Sequence, residues 1–173
     1  MLPIAAAQAT NTAQTPAARY RALLTMPFKP AAVAGRFSSG AASRVAPSAT
    51  ARRHHAIGAV QIAFANGGGS ILYTVFRTHA DAIATWNTDM TNATRIGNFR
   101  ARLRIVGIPT KTAFMFLGLG SCDPSPCTST ATFVWGVAKI DVSVAVAPNG
   151  PNYDQPATTA LARAAYAHLL RVS

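Results

Sequence analysis

IGAVQIAFANGGGSILYTVFR, residues 57–77, decides the fold class. Val60, Ile62 and Phe64 alternate with Ala59, Gln61 and Ala63, the two-residue period of a strand with one face turned inward. Asn66-Gly67-Gly68-Gly69-Ser70 then breaks the chain as a hairpin loop does, and Ile71 to Arg77 reads as a second strand.

Downstream the period changes. Thr78 can cap a helix whose first turn holds Asp81, and Ala80, Ile83, Ala84, Asn87 and Met90 fall on one side of it. Phe99 to Ile105 returns to strict alternation, with Arg100, Arg102 and Arg104 opposite Phe99, Ala101, Leu103 and Ile105. Thr112 to Leu119 is a further strand. Thr130 to Lys139 and Ile140 to Ala147 are two more, or one long bent one. Pro148-Asn149-Gly150-Pro151 makes a loop, and Asp154 caps a last helix to about Arg171, with Leu161, Ala165, His168, Leu169 and Val172 at core spacing.

The expected fold is therefore α+β: a mostly antiparallel sheet of about five strands, in the order β-β-α-β-β-β-α, with two helices on one face. Ala113 to Leu119 is apolar on both sides, which calls for a central position or a second covering layer from residues 1–56 or a partner subunit.

Upstream of this domain, residues 1–56 read as an irregular basic arm, with one short helix from Pro16 to Met26 stopped by Pro27. Gly35 to His55 has no sustained period and reads as loop, with Phe28, Val33 and Phe37 as its anchors to the domain.

The chain of 173 residues carries sixteen Lys and Arg against five Asp and no Glu, a formal net charge of +11. Such a balance favours anionic partners such as nucleic acid, acidic polysaccharide or phospholipid headgroups. Solubility and coding bias are the plainer reading of the same numbers. Catalysis by paired carboxylates is poorly supported, because Asp81, Asp89, Asp123, Asp141 and Asp154 fall at helix starts, in turns or alone. No apolar run approaches the ~20 residues of a membrane-spanning helix.

Cys122 and Cys127 bracket Asp123-Pro124-Ser125-Pro126, a stiff loop short enough for a disulfide across a turn. The chain-entropy account gives so small a loop roughly 2 kcal/mol. Free thiols are the alternative; zinc and redox chemistry use other spacings. The start ends in Ala7-Gln8-Ala9, the small-x-small form of an export cleavage site, but lacks a charged region and a full apolar stretch before it. With the cysteines it points to a secreted, periplasmic or cell-envelope protein. Residues 1–80 hold eight basic residues and no acid, so an organelle-targeted protein is the alternative.

Arg100, Arg102 and Arg104 would form a row roughly 13 Å long on a strand face, suited to phosphate or carboxylate. An edge strand kept soluble by charge is the competing reading. Arg52 and Arg53, beside His54 and His55, form a second basic cluster. Aromatic residues interleaved with the arginines would strengthen a nucleic-acid reading, and those on this strand point the other way. No catalytic residue, metal site or cofactor is expected: Gly118-Leu119-Gly120-Ser121-Cys122 has its serine misplaced for a nucleophile elbow, and Gly67-Gly68-Gly69 lacks the Lys of a phosphate loop. The expected function is an exported, non-enzymatic binding or accessory module, a subunit of an envelope or extracellular assembly with a protein partner or self-association. An anion-binding protein using the arm and the arginine row is the alternative.

Overall fold

The computed structural model describes residues 14–28, 37, 40–64, 68–95, 99–118, 127–146 and 154–172, in backbone only at 94, 95, 99–102, 117, 118, 127 and 146. The elements run α1 (Pro16–Thr25), β1 (Ala42–Val45), α2 (Ala49–Arg53), β2 (Ala56–Phe64), β3 (Gly69–Phe76), α3 (His79–Arg95), β4 (Phe99–Arg104), β5 (Phe114–Gly118), β6 (Cys127–Trp135), β7 (Ala138–Val146) and α4 (Gln155–Arg171). The strands form one sheet in the order β1-β2-β3-β7-β6-β5-β4, and each neighbouring pair is antiparallel.

The class is the expected α+β, but the inventory is larger: seven strands and four helices rather than five and two. β1 and α2 arise from the stretch read as loop. Four residues are too few to display a period, yet Ala42 to Val45 pair in register with Ile62 to Ala59. α2 forms because Ser48 caps it, accepting from the Ala51 amide at 3.1 Å, although its five residues carry no amphipathic pattern. The sheet therefore takes in residues on both sides of Ile57. The hairpin between β6 and β7 turns at Gly136-Val137, with Gly136 in the left-handed region (φ 55°), so the strand break falls three residues earlier than Lys139–Ile140.

The two long helices do not share a face; this corrects the sequence reading. On one side Val60, Ile62, Ile71, Tyr73, Phe133, Ile140 and Val142 pack with Leu161, Ala165 and Leu169 of α4 and Leu23 of α1. On the other, Phe76 and Val134 pack with Ala82 and Trp86 of α3 and Ala51 of α2. The reason lies in the central strands. β3, β6 and β7 bury residues on both faces, so each face needs a cover. The chain supplies the second layer itself, with α3.

The buried side of α3 is also rotated from the expected one. Ala82, Thr85 and Trp86 are buried, whereas Ala80 and Asn87 are exposed. Trp86 is the larger apolar group, and its burial sets the face. The caps are as read: the Asp81 amide donates to Thr78 Oγ1 at 3.1 Å and the Ala157 amide to Asp154 Oδ1 at 2.9 Å. α1 starts at Thr15, whose side chain accepts from the Ala18 amide at 3.2 Å, and ends before Pro27. It lies so close to β2 that a Cβ on Gly58 would meet the Tyr20 ring at 2.6 Å. Phe28 and Phe37 are buried as anchors, while Val33 lies outside the described residues.

Candidate functional site

The antiparallel order brings six chain segments to one end of the sheet. β2 begins there and β3 ends, since Ala56 pairs with Phe76. β7 begins and β6 ends, with Trp135 opposite Ala138. β4 ends and β5 begins, with Arg104 opposite Phe114. This end consequently collects Arg52 and Arg53 from α2, Arg77 after β3, His79 at the start of α3, Arg104 at the end of β4 and Lys111 in the following loop, all exposed. Five strand spacings from β2 to β4 make a cationic rim about 24 Å across.

Local bonds hold several of these groups. Arg52 Nη1 donates to the Pro47 carbonyl at 2.6 Å, and Arg104 Nη2 to the Thr110 carbonyl at 3.3 Å. The loop carrying Lys111 is closed by the Ile105 amide donating to the Ala113 carbonyl (3.1 Å). It is tied to α4 by Arg163 Nε donating to the Val106 carbonyl at 2.7 Å. Thr112 joins this loop to β6, its Oγ1 accepting from the Val134 amide at 2.9 Å.

Asp81 is the acid at this end among the described residues. Thr78 Oγ1 donates to its Oδ2 at 2.6 Å, and His55 Nδ1 lies 3.1 Å from Oδ1. The Thr78 hydrogen bond and then the His55 contact hold its carboxyl below the ordinary carboxylate value. The arrangement superficially resembles a hydroxyl-histidine-carboxylate relay, but the hydroxyl donates to the carboxylate rather than to the ring, so no nucleophile is activated. His55 has φ 56°, the left-handed conformation that ends α2, and its role is to join α2 to α3. No group of three or more His, Cys, Asp or Glu with metal-binding geometry occurs among the described residues.

Arg52, Arg53 and Arg104 thus stand at the same end, although Arg53 and Arg104 are 51 positions apart in sequence. Arg100 and Arg102 lie further back along β4, described in backbone only, with an irregularity between Phe99 and Ala101. β4 is an edge strand, the position at which charge also prevents edge-to-edge pairing. The expected Cys122–Cys127 bridge lies outside the described residues: 119–126 are not described, and Cys127, which opens β6, is known in backbone alone.

Two buried polar clusters escaped the sequence reading. Lys139 of β7 is 6 % exposed and reaches Asp141 at 2.6 Å and Asp89 of α3 at 2.9 Å, while Thr132 Oγ1 donates to Asp141 at 2.6 Å. Burial opposes the lysine charge, but Asp141 and Asp89 outweigh it and raise its pKa above the ordinary value. The two-residue spacing of Lys139 and Asp141 was a legible signal for a same-face pair; the third partner, on a helix, was not. On the opposite face, Tyr73 Oη lies 3.1 Å from His168 Nδ1, and His168 Nε2 is 3.3 Å from the Met26 carbonyl. A carbonyl only accepts, so Nε2 carries the proton and Nδ1 accepts from Tyr73. Burial lowers the His168 pKa and raises that of Tyr73. Both clusters pin helices to the sheet.

Compared with known proteins, the chain matches no family model, no curated protein and no solved structure. No helix among the described residues is long and apolar enough to cross a membrane.

Proposed function

We propose that this protein is a non-enzymatic binding module whose partner is an anionic polymer, engaged at the cationic end of the sheet. The observation that carries this reading is the convergence of Arg52, Arg53, Arg77, Arg104 and Lys111, all exposed, where Asp81 is the opposing acid and is already occupied by Thr78 and His55. Charges so gathered act together on a polyanion, and each phosphate or sulfate neutralised releases counterions. The test is binding of heparin and of nucleic acid across a salt series. Changing Arg52, Arg53, Arg77 and Arg104 together to Ser should weaken binding and flatten its dependence on salt, by about one unit of slope per lost contact. Unaltered affinity and slope would remove this end of the sheet from consideration. Changing Arg100, Arg102 and Arg104 to Ser asks the same of the β4 edge.

The compartment proposed is extracellular, periplasmic or cell-envelope, within an assembly of protein subunits; organelle targeting is the alternative. The support is the Cys122/Cys127 loop and the Ala7-Gln8-Ala9 start. Thiol labelling of native protein with and without reductant checks it: labelling only after reduction is expected, and thiols free in the native protein would remove the argument for export.

A further inference from the structure

The β6–β7 turn stands at the middle of the cationic rim, since β7 and β6 are the central pair of the six strands from β2 to β4. Two basic side chains meet one residue of that turn from different elements. His79 Nδ1, at the start of α3, lies 2.5 Å from the Gly136 carbonyl. On α1, Arg19 comes so close that a Cβ on Gly136 would stand 2.7 Å from its Nη1. The two nitrogens are thus within about 9 Å of each other. His55 is tied to the same corner: its carbonyl accepts from the Arg77 amide at 3.3 Å, and its Nδ1 lies 3.1 Å from Asp81 Oδ1.

Each of these groups has a donor to spare or one that acidification creates. Arg19 Nε is buried without a hydrogen-bond partner among the described residues, while Asp81, Asp89, Asp141 and Asp154 have other partners. Burial works against its guanidinium charge, and an anion from outside the chain would offset that cost. The histidines are oriented alike. A carbonyl only accepts, as does the ionised Asp81 carboxylate, so Nδ1 carries the proton in both rings and Nε2 is bare. Both side chains are exposed, and neither Nε2 has a partner among the described residues. A second proton therefore puts an N–H and a positive charge on Nε2, and the charged His55 also cancels the Asp81 charge that opposes an incoming anion. Around the two rings stand Asp81 from α3, Arg77 after β3, Arg52, Arg53 and His54 from α2, and Arg19 from α1. Arginine stays charged across the range between about pH 5 and 8, and histidine is the side chain that changes there. Asp81, its carboxyl held low by Thr78 and His55, stays ionised. His54 has no side-chain bond among the described residues to aim its ring.

We infer that Arg19, His55 and His79 form a proton-gated seat for a phosphate or sulfate group at the Gly136 turn. The inference rests on the anion-binding reading above and adds its regulation: the rim holds its polymer more tightly in acid. Arg19 serves at every pH, and the two imidazoles join it when they take up their second proton.

The experiment measures binding of a fluorescent oligothymidine and of heparin to the full chain at pH 8 and pH 5.5 across a salt series, with the melting temperature at each pH as the folding control. Both polymers keep their charge over this range, so a change in binding belongs to the protein. For the oligothymidine the salt slope should steepen on acidification by about 0.7 for each histidine contact, and affinity at about 0.1 M salt should rise roughly fivefold for each. His55→Gln with His79→Gln should remove most of that step, whereas His168→Gln, on the opposite face, should keep it. Arg19→Gln should weaken binding roughly fivefold at both pH values. A step shared by heparin supports a seat for either oxyanion, and a step with the oligothymidine alone supports one for phosphate. Binding equal at the two pH values, a step that survives the double substitution, or parental affinity for Arg19→Gln would overturn the inference while leaving the anion-binding reading intact. Failure of both polymers to bind at either pH would overturn both.

Discussion

Replacing Lys139 by Met tests how α3 is held on the sheet. The ammonium stands 2.6 Å from Asp141 and 2.9 Å from Asp89 and is almost wholly buried. At an effective dielectric constant of about 20, each contact is worth roughly 6 kcal/mol of Coulomb attraction, and desolvation of the ions takes back most of it. Removing one partner of such a cluster typically costs ~3–5 kcal/mol, because charge is left buried without compensation. Here the carboxylates retain 25 % and 32 % exposure and can take up water, so the loss should sit at the low end, about 3 kcal/mol. For a chain of this size that lowers Tm by about 6–12 °C. Urea unfolding followed by circular dichroism measures it, with Lys111→Met, at an exposed site, expected within about 0.5 kcal/mol of the parent. Adding Asp89→Asn and Asp141→Asn to Lys139→Met should restore most of the loss, since no unpaired charge then remains. The raised lysine pKa sets the pH range: the contribution is complete below the ordinary value of 10.5 and is lost as pH rises above it. A stability for Lys139→Met equal to that of Lys111→Met would refute the reasoning, because the cluster would then not hold α3.

Two further outcomes follow from the same packing. His168 has a lowered pKa, so the unfolded chain binds its proton more readily than the folded one; stability present above the ordinary value of 6.5 should fall on acidification below it. His168→Gln should remove that part of the pH dependence, and an identical pH profile for the two proteins would count against a buried neutral imidazole. Gly58→Val should destabilise the chain by about 1–3 kcal/mol through collision with the Tyr20 ring. Combination with Tyr20→Ala should be less than additive in a double-mutant cycle, and strict additivity would show that the two positions do not touch.

Local pattern was sufficient for much of the chain. Alternation from Ala59 to Phe64 and from Phe99 to Ile105, and the caps at Thr78 and Asp154, are signals written within a few residues, and each produced its element. β1 and α2 were missed because a four-residue strand and a five-residue helix carry too little pattern to show a period; pairing with β2 and a Ser48 cap create them. The rotation of α3 was missed because alanines, threonines and one tryptophan define a weak face until a sheet is present to receive Trp86.

The candidate site divides in the same way. The sequence alone established the excess of cations, the absence of Glu and the arginine alternation on β4, since these depend only on residue identity and spacing. It also called for a central position or a second covering layer for strands apolar on both sides, Ala113 to Leu119 above all. Tertiary structure decided which helix covers which face, and which cations meet. Arg52 and Arg104 become parts of one rim because six antiparallel steps return the chain repeatedly to the same end of the sheet. The same register sets Phe116 beside Arg102, although period-two alternation on β4 alone turns its aromatic residue away from the arginines. Periodicity governs the face of a single strand; only pairing determines what lies beside it.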